Sequence, residues 1–311
     1  MRTAPGDLVI YASEQCHYSI DKSADILGLG REGVRKIPTD GRFHIIADAL
    51  REAIAKDREG GRVPCCIVGV AGTTSTGVID PLETLAAIAR ENDCWYHVDA
   101  AYGGPLAFSP QHRDKLRGIE LADSITFDPH KWMFVPFSCG VSLVRDGGRT
   151  LRDAFDMSPE YLSEDRGGAD VEFDFFRYGQ MGTRRFNSLK LWMAMKFMGR
   201  EGYARTVERQ IELTEYLAKQ VDKLAGFMRV GEVETAVCCF RFLPESSLSG
   251  PDLDRLQQRL QQIIERSGEA WLTTTVLHGR RAMRVNINSF LTEQHHIDDL
   301  VNLLARSAST I

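Results

Sequence analysis

Two short segments place an acid and an amine where they could act on the same ligand. Asp99 ends a β-rich run at residues 95–99, and Lys131 follows a second run at residues 124–127. In a parallel sheet the carboxyl ends of the strands open onto one crevice, so we expect the two side chains to face one ligand. Alone, such an aspartate is usually a turn residue and such a lysine is usually solvated. Together they indicate covalent chemistry, because a lysine amine that loses its proton is a nucleophile.

This pair meets the chemical requirement of one cofactor, pyridoxal 5'-phosphate (PLP). PLP needs a lysine amine for its aldehyde and an acid beside its pyridine nitrogen, which keeps that nitrogen protonated. The protonated ring can then take up the electron pair that is released when a substrate bond breaks. We therefore predict that Lys131 forms a Schiff base with PLP and that Asp99 pairs with the pyridine nitrogen.

The segments around these residues resemble the group II PLP-dependent decarboxylases, which include the aromatic-L-amino-acid, histidine and glutamate decarboxylases. The resemblance rests on five segments: HVDAAYGG around Asp99, DPHKW around Lys131, SEQCHYS around His17, GTTSTGVIDP around Thr74, and RRFNSLKLW from Arg184. It implies the PLP-transferase type I fold and a homodimer with the active site at the subunit interface. It also implies the release of carbon dioxide and an amine from an L-amino acid, and we expect an aromatic or similarly hydrophobic substrate.

The resemblance assigns further residues to the cofactor. His17 matches the histidine that stacks on the pyridine ring, and Thr74 matches the threonine that approaches the ring hydroxyl. Ala101 matches another position in the cofactor-binding segment. His130 matches the histidine near the cofactor phosphate, and both a proton-transfer role and a purely positional role stay open for it. We count His17 and His130 among the catalytic residues as well.

Three other positions bear on the reaction. Tyr161 lies in residues 158–174, a stretch rich in Gly, Asp and Glu that predicts a mobile loop. It resembles the tyrosine that reprotonates the substrate carbon, which favours an amine over an aldehyde as the product. Arg284 resembles an arginine that approaches the substrate carboxylate in glutamate decarboxylases, although a strand-face ion pair accounts for it nearly as well. Asp128 stands where several animal members have asparagine. A carboxylate near a phosphate is unfavourable unless it is paired, so we do not assign Asp128 to the cofactor.

Alternating strands and helices must position these residues. In residues 1–200 they predict an α/β fold, a PLP-binding large domain with a mainly parallel sheet. Its predicted strands cover residues 8–13, 35–38, 65–70, 95–99, 124–127 and 139–144, and its helices cover residues 19–27, 45–58 and 81–92. Two long helices follow, at residues 186–199 and 203–224. Residues 201–311 predict a small C-terminal α+β domain, with strands at residues 227–230, 236–242, 271–277 and 283–288, a helix at residues 251–266, and a closing helix capped by Thr292.

Composition excludes several classes of function. Hydrophobic residues make up 43% and charged residues 26% of the chain, as in an ordinary globular enzyme. A net charge of -5 without a basic stripe argues against a nucleic-acid partner. The longest apolar runs are too short to cross a bilayer, so we predict no membrane partner. Adjacent cysteines at residues 65–66 and 238–239 lie in strand-like runs, where neighbours point to opposite faces. We interpret them as reduced core cysteines of a cytoplasmic protein and predict no metal site.

The resemblance begins well inside the family pattern. The family's N-terminal helical segment, and its Gly/Ser-rich stretch that holds the PLP phosphate, have no counterpart before His17. We therefore expect this chain alone to hold PLP weakly, or a second chain to supply the missing part. Two alternatives stay open. One is another PLP reaction on the same fold, either aldehyde synthesis or carbon–carbon lysis, and the other is a non-catalytic fragment or partner subunit.

Overall fold

A computed structural model describes residues 7–157, 174–245 and 248–311. The strands of this part are β1 (Leu8–Ser13), β2 (Val34–Ile37), β3 (Val63–Val70), β4 (Trp95–Asp99), β5 (Ser124–Phe127), β6 (Val141–Val144), β7 (Phe227–Val230), β8 (Val237–Phe242), β9 (Thr273–Leu277) and β10 (Arg280–Asn286). The helices are α1 (Ser19–Ile26), α2 (Ala47–Glu59), α3 (Leu82–Glu91), α4 (Arg149–Phe155), α5 (Asn187–Lys223), α6 (Gly250–Ser267) and α7 (Gln294–Ala308).

The first six strands form one sheet with the order β2-β1-β3-β4-β5-β6. All neighbours pair in parallel except β5 and β6, which are antiparallel. The predicted bounds of β1, β4 and β5 are confirmed. Strand β6 begins two residues later than predicted, because the Cys139 carbonyl oxygen lies 2.6 Å from His130 Nδ1 instead of joining the sheet.

The two faces of this sheet have different surroundings because side chains alternate along a strand. In β4, Tyr96 and Val98 are buried, and they belong to a core that also contains apolar side chains of α2, α3 and the middle of α5. Trp95, His97 and Asp99 point to the opposite face, where Trp95 is 37% exposed. One face of the sheet is therefore structural, and the other is open to a ligand.

The second sheet is antiparallel, with the order β7-β8-β10-β9. Its core contains side chains of α5, α6 and α7. Helix α5 crosses the predicted domain boundary at residue 200, with Val207 and Ile211 packed against the first core and Leu217 and Val221 packed against the second. The division into residues 1–200 and 201–311 stays a prediction.

The two long helices predicted at residues 186–199 and 203–224 are confirmed as the two parts of α5, which is broken at Gly199, whose φ is 62°. One local expectation differs from the structure. The predicted N-cap Thr292 is wrong: Glu293 caps α7, in a capping box with His296. A histidine at this position satisfies the cap backbone as glutamate or glutamine usually does. Among the described helices, none combines the length and the apolar character that a membrane span requires.

Candidate active site

A cavity of about 590 Å³ lies on the open face of the large sheet and reaches the carboxyl ends of β1, β3, β4 and β5. This volume is typical of a small-molecule site. Most of the residues assigned from the sequence lie on its wall: His17, Thr74, Asp99, Ala101 and Lys131. The sheet brings them together because the loops that follow parallel strands all emerge at the same edge.

Lys131 is positioned by a turn that follows β5. Its backbone N–H donates to the Asp128 carbonyl oxygen at 2.9 Å, and its Nζ lies 2.9 Å from Asp128 Oδ2. The lysine side chain is 38% exposed, so the amine is within reach of a ligand in the cavity. Trp132, the next residue, is fully buried and anchors the turn beneath the cavity.

Asp99 ends β4 with one carboxylate oxygen engaged. Its Oδ1 accepts the backbone N–H of Ala101 at 3.1 Å, and Oδ2 has no hydrogen-bond partner among the described residues. The glycines of HVDAAYGG allow the chain to turn tightly here, since a Cβ on Gly103 would lie 2.4 Å from the Ala71 carbonyl oxygen. The turn therefore holds a carboxylate at the cavity wall with one oxygen available to a ligand.

His17 follows β1 on the same edge of the sheet. Its Nδ1 accepts the backbone N–H of Ser19 at 3.3 Å, which leaves the ring proton of the neutral imidazole on Nε2. Burial lowers the pKa of His17, and the charge of Lys131 lowers it further. Both effects favour the neutral form of the ring. Thr74 is exposed, in the loop that follows β3.

His130 does not line the cavity. Its Nδ1 contacts the backbone of Cys139, and its Nε2 lies 4.0 Å from Asp128 Oδ2. Asp128 is thus shared between this histidine and Lys131, and it does line the cavity. The ion pair with Lys131 stabilises the Asp128 carboxylate, to which the sequence analysis assigned no role toward the cofactor.

Arg284 also lies outside the cavity wall, on β10 of the small sheet. Its Nε is buried and has no hydrogen-bond partner among the described residues. Two residues further along β10, Asn286 accepts a hydrogen bond from the Tyr102 hydroxyl at 2.8 Å. Burial raises the pKa of Tyr102, and the nearby charge of Arg284 partly opposes this rise. Arg284 is therefore near Tyr102, which lines the cavity, although Arg284 itself does not.

Sequence reasoning missed two residues of the wall. Tyr102 lines the cavity and stacks on Trp132, with ring centroids 4.9 Å apart and planes inclined by 7°. His97 also lines the cavity, with Nδ1 2.8 Å from Ser124 Oγ. The signal for His97 was its position two residues before Asp99, which places both on one face of β4. Tyr161, the predicted proton donor, lies outside the described residues.

The family model of the pyridoxal-dependent decarboxylase conserved domain matches residues 2–243 of the chain. The chain is 32% identical over 298 residues to an aromatic-L-amino-acid decarboxylase of Bacillus atrophaeus. The aligned residues cover 96% of this chain and 62% of the relative. It is 33% identical over 305 residues to a cysteine sulfinic acid decarboxylase of Mus musculus, with 96% of this chain and 62% of the relative covered.

The fold is similar to the crystal structure of Oryza sativa TDC with PLP and tryptamine. The TM-score is 0.92 at 29% sequence identity, covering 98% of this chain and 63% of the other. The chain thus spans less than two thirds of the length of each of these proteins.

Proposed function

The chain belongs to the pyridoxal-dependent decarboxylase family, and on this premise we propose that it carries the catalytic lysine of a PLP-dependent L-amino-acid decarboxylase. The reaction is the release of carbon dioxide and an amine from an L-amino acid. The observation that supports this most strongly is the meeting of Lys131, Asp99 and His17 on the wall of one cavity.

The side chains of the cavity fit PLP by their chemistry. An amine, a carboxylate with one oxygen available, and a neutral imidazole face a space large enough for a pyridine ring and an amino acid. When bound, PLP supplies an electron sink for the pair released by the breaking bond. Asp99, with Oδ2 available, would accept a hydrogen bond from the ring nitrogen and so would keep that nitrogen protonated.

Lys131 is the residue that binds the PLP aldehyde through its amine. A protonated lysine cannot do so, and the amine must first lose its proton to solvent. Asp128, whose Oδ2 lies 2.9 Å from Lys131 Nζ, would hold the side chain in position. His17 presents a neutral ring for stacking, since a neutral imidazole is less costly to desolvate than a charged one. Thr74 and Ala101 complete the cofactor contacts of this proposal. His130 positions Asp128 from behind.

Two residues are proposed to act on the substrate. Arg284 is the candidate partner of the substrate carboxylate, because its guanidinium has a buried nitrogen without a partner among the described residues. Such a group is costly to bury unless it gains a hydrogen bond when the ligand binds. Tyr161 is proposed, on the resemblance alone, to return a proton to the substrate carbon and so to make the product an amine.

An aromatic substrate is favoured by the rest of the wall. Ile10, Val68, Trp95 and Tyr102 give it a largely apolar surface, and Lys131 is the only lysine or arginine among the described lining residues. An acidic substrate needs a second cation for its side chain, since a buried carboxylate without a partner is strongly unfavourable. The described wall does not supply that cation, and Arg284, which lies outside the wall, is already assigned to the carboxylate that all L-amino acids share.

We also propose a homodimer in the cytoplasm. Trp192 and Met193 on α5 are 60% and 57% exposed, which supports their burial against another polypeptide. All seven cysteines are free, which is typical of a reducing compartment. Part of the phosphate site is proposed to come from a segment outside the described residues or from a second chain.

Mass spectrometry after borohydride reduction tests the assignment of the lysine. Protein incubated with PLP and then reduced is expected to carry a pyridoxyl group on Lys131. Lys190 is a matched internal control, because its Nζ donates to the carbonyl oxygens of Pro136 and Ser138 and is held away from the cavity. An adduct on Lys190 or Lys196 instead of Lys131 contradicts the proposal.

A further inference from the structure

A second cavity, of about 360 Å³, lies between α5 and the segment that follows β10. Its wall includes one face of α5, from Phe197 to Gln210, and the turn from Ser289 to Thr292. It shares no lining residue with the cavity that contains Lys131. Neither the proposed reaction nor its cofactor accounts for it.

Gln210 contributes an unsatisfied donor to this wall. The side chain is 1% exposed, and its Oε1 accepts the indole N–H of Trp132. Because the indole nitrogen only donates, the other end of the amide is the NH₂ group, and this Nε2 has no partner among the described residues. Buried polar groups are nearly always hydrogen-bonded, so this donor calls for an acceptor from a ligand.

The charge of the wall indicates what that acceptor is. Arg205 and Arg209 lie four residues apart on α5, a spacing at which like charges repel. Arg205 has only a distant ion pair, 3.9 Å from Glu201, and Arg209 has none among the described residues. No aspartate or glutamate is on the described wall. An anion would relieve the repulsion, whereas an ammonium group would find no partner.

The remaining surface is aromatic. Phe197 is 88% exposed and Phe290 is 62% exposed, although both line the cavity. Phe290 is held in place by an edge-to-face contact with Phe134, with centroids 5.5 Å apart. Exposed aromatic rings beside two arginines with at most a distant ion pair suit a ligand with a flat apolar body and one negative end.

We propose that this cavity is a binding site for a small aromatic carboxylate without an amino group. The carboxylate lies between Arg205 and Arg209 and accepts a hydrogen bond from Gln210 Nε2, while the ring packs on Phe197 and Phe290. The site is connected to the active site by one residue. Trp132 follows Lys131, donates to Gln210 and stacks on Tyr102 of the first cavity, so a ligand on Gln210 changes the environment of Trp132.

Phenylacetate is the probe for this site, and the indole N–H signals of ¹⁵N-tryptophan-labelled protein are the readout. The chain has four tryptophans, and a Trp132→Phe variant identifies the signal of Trp132. Phenylacetate is expected to shift this signal saturably. Phenethylamine and benzyl alcohol, which have the ring without the carboxylate, are expected not to do so. No PLP is needed, so failure here and failure of the proposed function are distinguishable.

Variants separate this site from adventitious binding. Arg209→Gln, an exposed change that does not threaten folding, is expected to weaken phenylacetate binding about tenfold. Arg259→Gln on α6 removes the same charge from an exposed position off the cavity wall and is the matched control, with no change expected. Gln210→Glu keeps an acceptor for Trp132 and replaces the donor by an acid, which should abolish binding. Equal affinity for benzyl alcohol, equal loss in both arginine variants, or no saturable shift overturns the proposal.

Discussion

Two clusters of polar side chains contain the same residue types but differ in how these are paired. One is in the catalytic cavity and contains His17, Asp99 and Lys131. The other lies at the junction between the large and small sheets and contains His44, Asp80, Lys115 and Glu234. By composition alone, either cluster is a candidate active site.

At the junction every group is bound by the protein. His44 Nε2 lies 2.7 Å from Glu234 Oε1, and Glu234 Oε2 accepts the backbone N–H of Ile79. Asp80 accepts the backbone N–H groups of Ile45 and Val70, at 3.1 and 2.9 Å. The Lys115 ammonium donates to the Glu234 carbonyl oxygen at 2.8 Å. These groups tie a loop of the small sheet to the large one and leave little for a ligand to bind.

In the cavity the same groups are only partly engaged. Asp99 Oδ2 has no partner among the described residues, and the Lys131 side chain is 38% exposed. Polar groups that lack hydrogen-bond partners on an accessible cavity wall therefore indicate function, whereas polar groups whose partners are all within the protein indicate a structural role. Substitutions in the two clusters should therefore act on different quantities.

The largest effect is expected for the turnover of Asp99→Ala, measured in an active form of the enzyme. In the proposed reaction Asp99 would keep the ring nitrogen of PLP protonated, so turnover should fall about a thousandfold, or about 4 kcal/mol of transition-state stabilisation. The free energy of unfolding should hardly change, because the Asp99 side chain makes a single hydrogen bond among the described residues, to the backbone of Ala101. Steady-state kinetics and urea unfolding measure the two quantities. Asp99→Glu should retain part of the activity, and near-normal turnover of Asp99→Ala would make Asp99 a turn residue.

Asp80→Ala is the matched change in the junction and should have the opposite signature. It leaves the N–H groups of Ile45 and Val70 buried without acceptors, and the free energy of unfolding should fall by about 2 kcal/mol. Binding of PLP to Lys131, measured by borohydride trapping in mild conditions, should be unchanged. If trapping is lost while stability is retained, the distinction between the clusters does not hold.

The smallest effect is a pH dependence in the junction. Its hydrogen bond to Glu234 raises the pKa of His44 above the ordinary value of 6.5, with Asp40 and Asp80 adding to the rise and burial opposing it. The pKa of His44 is higher in the folded protein than in the unfolded chain. The pair of His44 and Glu234 therefore stabilises the fold fully below pH 6.5, and this stabilisation is lost as the pH rises through the pKa of the folded protein. His44→Gln should therefore cost about 1 kcal/mol at pH 6 and less at pH 9. Urea unfolding at both values measures this, and a loss that is independent of pH contradicts it.

Burial of Asp80 gives the junction a second titration in the same range. Desolvation raises the pKa of this carboxyl to about 6. The two backbone hydrogen bonds that the carboxylate accepts lower the pKa, but by less than desolvation raises it. A raised folded pKa means that the folded protein gains stability as the pH falls through about 6. The wild-type profile contains both groups, so the His44 contribution is the difference between wild type and His44→Gln at each pH.

Much of the fold was predictable because it depends on local patterns. The bounds of β1, β4, β5 and β7 agree with those predicted from alternating apolar residues and flanking turn residues. The positions of Asp99 and Lys131 on one cavity wall follow from parallel strand order, which short strand–helix units imply. The cap of α7 was misplaced by one residue, because Glu293 and His296 satisfy each other in a way that the preference for threonine does not anticipate.

Local sequence patterns are sufficient to locate most strands, the acid and the amine at two strand ends, and the family resemblance. Which polar groups are already paired depends on the tertiary packing. The bond between Trp132 and Gln210 joins residues 78 positions apart, and the bond between Tyr102 and Asn286 joins residues 184 positions apart. No local period encodes such contacts, because they depend on how α5 and the small sheet pack against the large one. The same packing leaves Gln210 Nε2 and Arg284 Nε without partners among the described residues.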